Sequence, residues 1–181
     1  MMPLFDTQLQ VSLRALREVV APALQNGEKH VVEQLHLAIA TLDFAKQRLP
    51  YARRYHRLEL ENYIGFAAEV RAMVGADQPA LRDQLAAEES TGKAELRRPE
   101  AEIEDYLIVT RRLRELIASA VSAAIDKPYE RALDLLIIGR QEKFLLLQRA
   151  WFVPSGFELK PEDLPSLDQL LAQSENSAAK P

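Results

Sequence analysis

Proline and glycine divide this chain into blocks whose apolar residues recur every three or four positions. That spacing places the apolar side chains on one side of a helix. Glycine occurs only 6 times in 181 residues, and β-branched residues are few, so little material is left for a sheet. The sequence therefore predicts an all-α fold: an antiparallel helical bundle of about five long helices, with a short extra helix in the C-terminal segment.

Each predicted helix is bounded by a turn signal. The five long blocks run approximately over residues 6–25, 28–49, 51–74, 99–125 and 128–151. A short helix is predicted over 79–89, and an exposed, mobile loop over 90–98, where large apolar side chains are scarce. Pro22 is expected to kink or fray the end of the first helix, because proline lacks the N–H that an interior helical position needs.

The character of the sequence changes after Val153. We predict a helical bundle domain over residues 1–153 and a C-terminal segment over 154–181. That segment is expected to hold a short helix near 164–173 and a disordered tail from Ser174 onward. A length of 181 residues suits one such domain with a tail.

The composition excludes several classes of site and partner. Cysteine is absent, which rules out thiolate metal sites, iron–sulfur clusters, disulfides and a cysteine nucleophile. A net charge of −4 makes nucleic acid an unfavourable partner, although residues 46–57 carry five Lys or Arg and two tyrosines. The N-terminus lacks a secretory signal pattern, and no apolar run approaches the ~20 residues of a membrane span. A cytoplasmic location without membrane contact, and no cofactor, are the expectations.

Three ionisable residues lie on apolar helical faces. Glu59 shares a face with Tyr55 and Tyr63, while Arg114 and Arg140 each lie near the centre of an apolar stripe. A lone buried charge costs several kcal/mol, so each of these groups needs a partner or an exit to solvent.

Three outcomes are open for these charges. In the first, Glu59 pairs with Arg114 or Arg140 and sets the register of the helices. In the second, the arginine side chains extend along the core and their guanidinium groups reach solvent. In the third, an arginine binds an anionic ligand, with Tyr55 or Tyr63 nearby. Because two arginines face one glutamate, either a further acid such as Glu104 or Asp105 turns inward or an anion enters.

Glu33 and His36 form a Glu-x-x-His pair, the weak candidate for a metal site. Di-metal helical bundles use two such pairs and two further glutamates, and here the motif occurs once. A surface histidine is therefore the favoured interpretation. A second set, His36 with Asp43 and His56, depends on a close helix crossing that the sequence does not specify. No serine nucleophile motif or glycine-rich phosphate loop is present, so no catalytic residue is identified.

The last long block ends in two large aromatic residues, Trp151 and Phe152, which are the candidate interface residues. This block is apolar around much of its circumference, which is typical of a central helix or of a seam between subunits. The off-stripe apolar residues are Leu135, Ile138, Leu145 and Leu146.

Two functional hypotheses follow. The first, which we favour, is a non-enzymatic helical bundle that associates with another protein or with itself, as a homodimer. The alternative is a bundle that binds a small anionic ligand or a metal at an interior Arg/Glu site.

Overall fold

The structure is a computed structural model that describes the backbone of residues 3–178 and the side chains of residues 5–172. The predicted all-α helical bundle is confirmed, because 83% of the chain is helical and the described backbone contains no strand. The helices are α1 (Pro3–Ala15), α2 (Ala21–Ala23), α3 (Lys29–Arg48), α4 (Ala52–Val74), α5 (Pro79–Arg97), α6 (Ile103–Ala123), α7 (Glu130–Phe152) and α8 (Leu167–Ala178).

The disturbance predicted near Pro22 takes the form of a π-helical turn over Leu16–Val20, which joins α1 to α2. The Ala21 N–H donates to the Leu16 carbonyl, five residues earlier, instead of four as in an α-helix. Pro22 cannot donate a hydrogen bond, and its ring would collide with the carbonyl four residues before it. The wider turn relieves that collision without ending the helix.

The exposed loop predicted over residues 90–98 is wrong, because α5 continues to Arg97. Large apolar side chains are scarce there for a packing reason. A Cβ atom on Gly92 would lie 2.8 Å from Cδ1 of Ile64 on α4 and 3.3 Å from Cγ1 of Val109 on α6. The backbone of α5 therefore lies close to α4 and α6 at this point, and the apolar side chains at the contact come from those two helices.

The remaining helix boundaries differ from the predicted ones by a few residues. α6 begins at Ile103 rather than at Pro99, because Glu102 and Asp105 form a capping box in which the Glu102 N–H donates to Asp105 Oδ2 at 2.8 Å. α8 extends to Ala178, past the predicted end at residue 173. The rest of the predicted tail, residues 179–181, lies outside the described residues.

The chain divides into two compact units. Unit 1 comprises residues 1–51 and 149–164, and unit 2 comprises residues 52–148 and 165–181. The division between a bundle domain and a C-terminal segment at residue 153 stays a prediction.

Unit 2 is built on α4, α5 and α6, which pack against one another, and α7 adds buried side chains to the same core. Such burial on several sides stabilises each helix by removing its apolar face from water. The fully buried large side chains of this core are Leu60, Val70, Val74, Leu85, Tyr106, Leu113 and Leu133.

Unit 1 contains α1 and α3, the end of α7 and the segment that follows α7. Its buried apolar residues are Leu13, Ile39 and Ala150. None of the helices in the described part of the chain combines the length and the apolar character needed to cross a bilayer.

Candidate functional site

The predicted Arg/Glu cluster forms only in part. Glu59, on α4, is mostly buried, and its Oε2 lies 3.1 Å from Nδ1 of His56 one turn earlier. Arg114, on α6, is exposed, and its guanidinium carbon lies 5.8 Å from the centre of the Tyr63 ring. An ion pair of Glu59 with Arg114 is therefore wrong, and a cation–π contact takes its place.

Of the two tyrosines of this cluster, Tyr55 is buried and Tyr63 is half-buried. The Tyr63 ring stacks on Phe144 of α7, with centroids 4.4 Å apart. Burial raises the pKa of Tyr63, Arg114 opposes that shift, and Glu59 adds to it. Burial also raises the pKa of Tyr55, and the Glu59 carboxylate raises it further. Both phenols thus stay protonated at neutral pH and can donate a hydrogen bond. A ligand-binding role for this cluster stays a prediction.

Arg140 pairs with Glu69 rather than with Glu59. Both carboxylate oxygens of Glu69, on α4, accept from the guanidinium of Arg140 on α7, and the Nε–Oε2 distance is 3.2 Å. The further acid that pairs with an arginine is therefore Glu69. The predicted candidates, Glu104 and Asp105, do not pair with Arg114 or Arg140. Asp105 accepts a hydrogen bond from the Glu102 N–H and also binds Arg98, and both contacts lower its pKa.

An ionic contact that was not predicted joins Arg71 of α4 to the buried Glu89 of α5. Its distances are 2.7 Å from Nε to Oε1 and 3.3 Å from Nη2 to Oε2, and Glu89 is only 3% exposed. Glu89 continues an apolar stripe at helical spacing. Because the predicted helix ended at residue 89, the rest of the stripe was not recognised. The stripe consists of Leu81, Leu85, Glu89, Gly92 and Leu96.

The weak metal candidates lie apart from any ligand set. Glu33 and His36 are both exposed on α3, and Glu33 lies 3.7 Å from Lys29 Nζ. Asp43 is bound by Arg17, and His56 lies against Glu59. Across the described residues, no three His, Asp or Glu side chains converge in a way that could hold a metal ion.

Unit 1 contains an open cleft of about 260 Å³ beside the π-helical turn. Within it, Arg14 bonds Glu18 at 2.8 Å, and Arg17 bonds Asp43. Both arginines therefore already have acidic partners. The cleft is lined by Gln10, Leu13, Arg14, Arg17, Glu18, Asp43 and Lys46.

The predicted interface residues lie in an aromatic cluster at the end of α7. Trp151 is half-buried and meets Phe44 edge-on at 6.4 Å, while the more exposed Phe152 stacks on Phe44 at 5.6 Å. Arg48 donates from Nε to the Trp151 carbonyl at 2.6 Å and lies over the indole ring. Arg48 thus satisfies a carbonyl at the C-terminus of the helix, where a cation is also favoured by the helix dipole.

The segment after α7 presents apolar side chains that the sequence analysis did not single out. Phe157 is 88% exposed and Leu159 is 94% exposed. Between them, Glu158 turns inward and binds Arg149 through two hydrogen bonds of 2.9 and 2.8 Å. This pairing lowers the pKa of Glu158 to about 2. The order of apolar, acidic and apolar residues at positions 157–159 is visible in the sequence and could have drawn attention to this segment.

α7 itself exposes apolar side chains on the side opposite its buried face. Leu135, Ile138 and Leu145 are 64%, 66% and 55% exposed, and we call them the α7 outer face. The opposite side buries Leu133 and Phe144 in the core of unit 2.

Comparisons with protein-family models, with curated protein sequences and with solved structures gave no match.

Proposed function

We propose that this protein functions by associating with another protein chain, and first with a second copy of itself, through the α7 outer face. The observation that supports the proposal is the exposure of Leu135, Ile138 and Leu145 on a helix whose opposite side is already buried. Covering such side chains removes apolar surface from water, which contributes about 25 cal/mol for each Å² and is partly offset by the entropy cost of association.

The surroundings of the face fit this role. Two of the charged residues beside it, Arg131 and Glu142, are exposed, and neither forms an ion pair within the described part of the chain. A polar rim around an apolar centre is typical of protein interfaces. Phe152, Phe157 and Leu159 of unit 1 are also exposed apolar side chains, and their exposure supports the same class of function.

Sedimentation equilibrium over a series of protein concentrations tests the proposal. We expect a reversible dimer for the wild-type chain and a monomer for Ile138→Glu, because a carboxylate at that position must be desolvated on association. Leu37→Glu is the matched control, since Leu37 is 59% exposed on α3 and lies outside the face. A wild-type monomer at every concentration, or an equal loss in the control, would contradict the proposal.

A second candidate function, supported by the unit 1 cleft, is binding of a small polar ligand that carries an anionic group. Lys46 lines this cleft and forms no ion pair among the described residues, so it is the group that would meet the anion. A ligand at one hundred times its Kd stabilises the folded state by about 2.7 kcal/mol. A thermal-shift panel of carboxylates and phosphates therefore tests this candidate, and a melting temperature that no compound raises would remove it. Any shift must also disappear in Lys46→Gln.

A further inference from the structure

Four residues of α7 form a row with a cation at one end, an anion at the other end and two apolar residues between them. Arg131, Leu135, Ile138 and Glu142 are spaced by four, three and four positions. At about 100° per residue these positions lie within about 60° of one another around the helix. All four side chains are exposed, so the row runs along the surface as cation, apolar, apolar, anion.

We infer that two copies of α7 pair in antiparallel orientation, with Arg131 of one chain opposite Glu142 of the other and Leu135 opposite Ile138. This inference rests on the proposed function. Antiparallel alignment of the row with itself places each cation opposite an anion and leaves the two apolar pairs at the centre. The arrangement is isologous, because the same four residues serve on both copies.

Two other pairings of the same face are less favourable. A parallel alignment sets Arg131 opposite Arg131 and Glu142 opposite Glu142, and like charges directly opposite each other destabilise an interface. An antiparallel alignment shifted by one heptad sets Leu135 opposite Leu145 but places Glu142 against Ile138. That alignment desolvates a carboxylate without a partner.

Engineered disulfides test the alignment directly, because the native chain has no cysteine. A mixture of Arg131→Cys and Glu142→Cys chains should form a covalent dimer under mild oxidation, with one chain of each kind. Each variant alone should not, because two copies of position 131 then lie about 16 Å apart along the axis, and a disulfide needs Cα atoms within about 7 Å. Cross-linking of either variant with itself would instead indicate the parallel arrangement and overturn the inference.

Charge reversal provides the second test. Arg131→Glu and Glu142→Arg should each raise the dissociation constant of the dimer about tenfold, because each places like charges opposite each other twice per dimer. The double variant should return to within about threefold of the wild-type value. Neither change alters a buried residue, and circular dichroism of each variant checks that the fold is retained.

The outcomes separate this inference from the proposed function. If the wild-type chain dimerises but the mixed cysteine variants do not cross-link, or if the double charge variant is no better than the singles, the alignment is wrong and the proposed function stands. If the wild-type chain is monomeric at every concentration, both are overturned.

Discussion

Unit 1 and unit 2 are stabilised by different means, although both consist of helices with an apolar side. In unit 2, α4, α5 and α6 cover one another, and Leu60, Leu85 and Leu113 are completely buried. In unit 1, large apolar side chains such as Val11 and Leu37 stay exposed. Polar contacts also hold unit 1 together, including those of Arg48 with the Ala150 and Trp151 carbonyls.

Helical periodicity therefore identifies the apolar side of a helix but not what covers that side. The same pattern that leads to a three-helix core in unit 2 leads to exposed hydrocarbon in unit 1 and on the outer face of α7. Exposed apolar side chains of this kind can contact a partner, whereas buried apolar side chains only form the core of the fold.

The largest predicted contrast between the units concerns truncation of leucine. Leu113→Ala should lower the free energy of unfolding by about 2–5 kcal/mol, because it leaves a cavity in a packed core. Leu37→Ala, at an exposed position on α3, should lower it by less than about 0.5 kcal/mol. Urea unfolding followed by circular dichroism measures both values. Equal losses at the two sites would contradict the exposure of Leu37 on α3.

The buried ion pair of unit 2 gives the next effect. Arg71→Ala leaves the Glu89 carboxylate buried without its partner, and we expect a loss of about 2–3 kcal/mol. The value lies below that of a fully buried pair because the Arg71 side chain is 36% exposed. Arg82→Ala, which removes a surface pair with Asp83, is the control and should cost less than about 0.5 kcal/mol.

A double replacement sharpens that test. Arg71→Met combined with Glu89→Leu should recover most of the loss, because apolar side chains of similar volume often replace a buried ion pair without cost. Failure to recover would mean that the loss came from disturbed packing and not from the unpaired charge.

Two helical glycines separate close packing from helix propensity. Gly92→Ala should destabilise by about 1–3 kcal/mol, because the new methyl group would overlap the Ile64 side chain. Gly65→Ala meets only Arg140 Nη2 at 3.8 Å, an ordinary contact, and should stabilise by about 0.5–1 kcal/mol. Thermal unfolding checks the signs, and a stabilising Gly92→Ala would contradict the close approach of α5 to α4.

The smallest effect is a pH dependence in unit 1. The pKa of Glu158 is lowered to about 2 from 4.5 by the Arg149 guanidinium, so this ion pair stabilises the segment above about pH 4.5 and is lost as the pH falls toward 2. Arg149→Gln should move the pKa of Glu158 back toward 4.5, as measured by carboxyl ¹³C NMR. Lys160→Gln is the control and should leave the pKa low, since Lys160 contributes its backbone N–H and not its side chain.

Much of the fold followed from the sequence, because proline and glycine mark the helix ends and apolar spacing marks the buried sides. The exception was α5, where Gly92 replaces a large apolar residue at a close contact. If the predicted helix had continued past Glu89, the apolar spacing would have placed Glu89 on the buried side of the helix.

The pairing of the arginines could not be predicted in the same way. Helical periodicity gives the direction in which a side chain leaves the helix, but the guanidinium of an arginine lies far from its Cβ atom. Because the side chain is long, the guanidinium of Arg140 reaches Glu69, and that of Arg114 lies over the Tyr63 ring near the surface. Long side chains need coordinates before a partner can be assigned.

If a second protein chain covers the α7 outer face, as we propose, methyl NMR spectra recorded on dilution will respond to dissociation. We predict concentration-dependent shifts for the methyl groups of Leu135 and Ile138, with none for Leu113 in the core or Leu37 on α3. Methyl shifts on α7 that stay constant across the concentration range, or changes that centre on Leu37 instead, would contradict the claim.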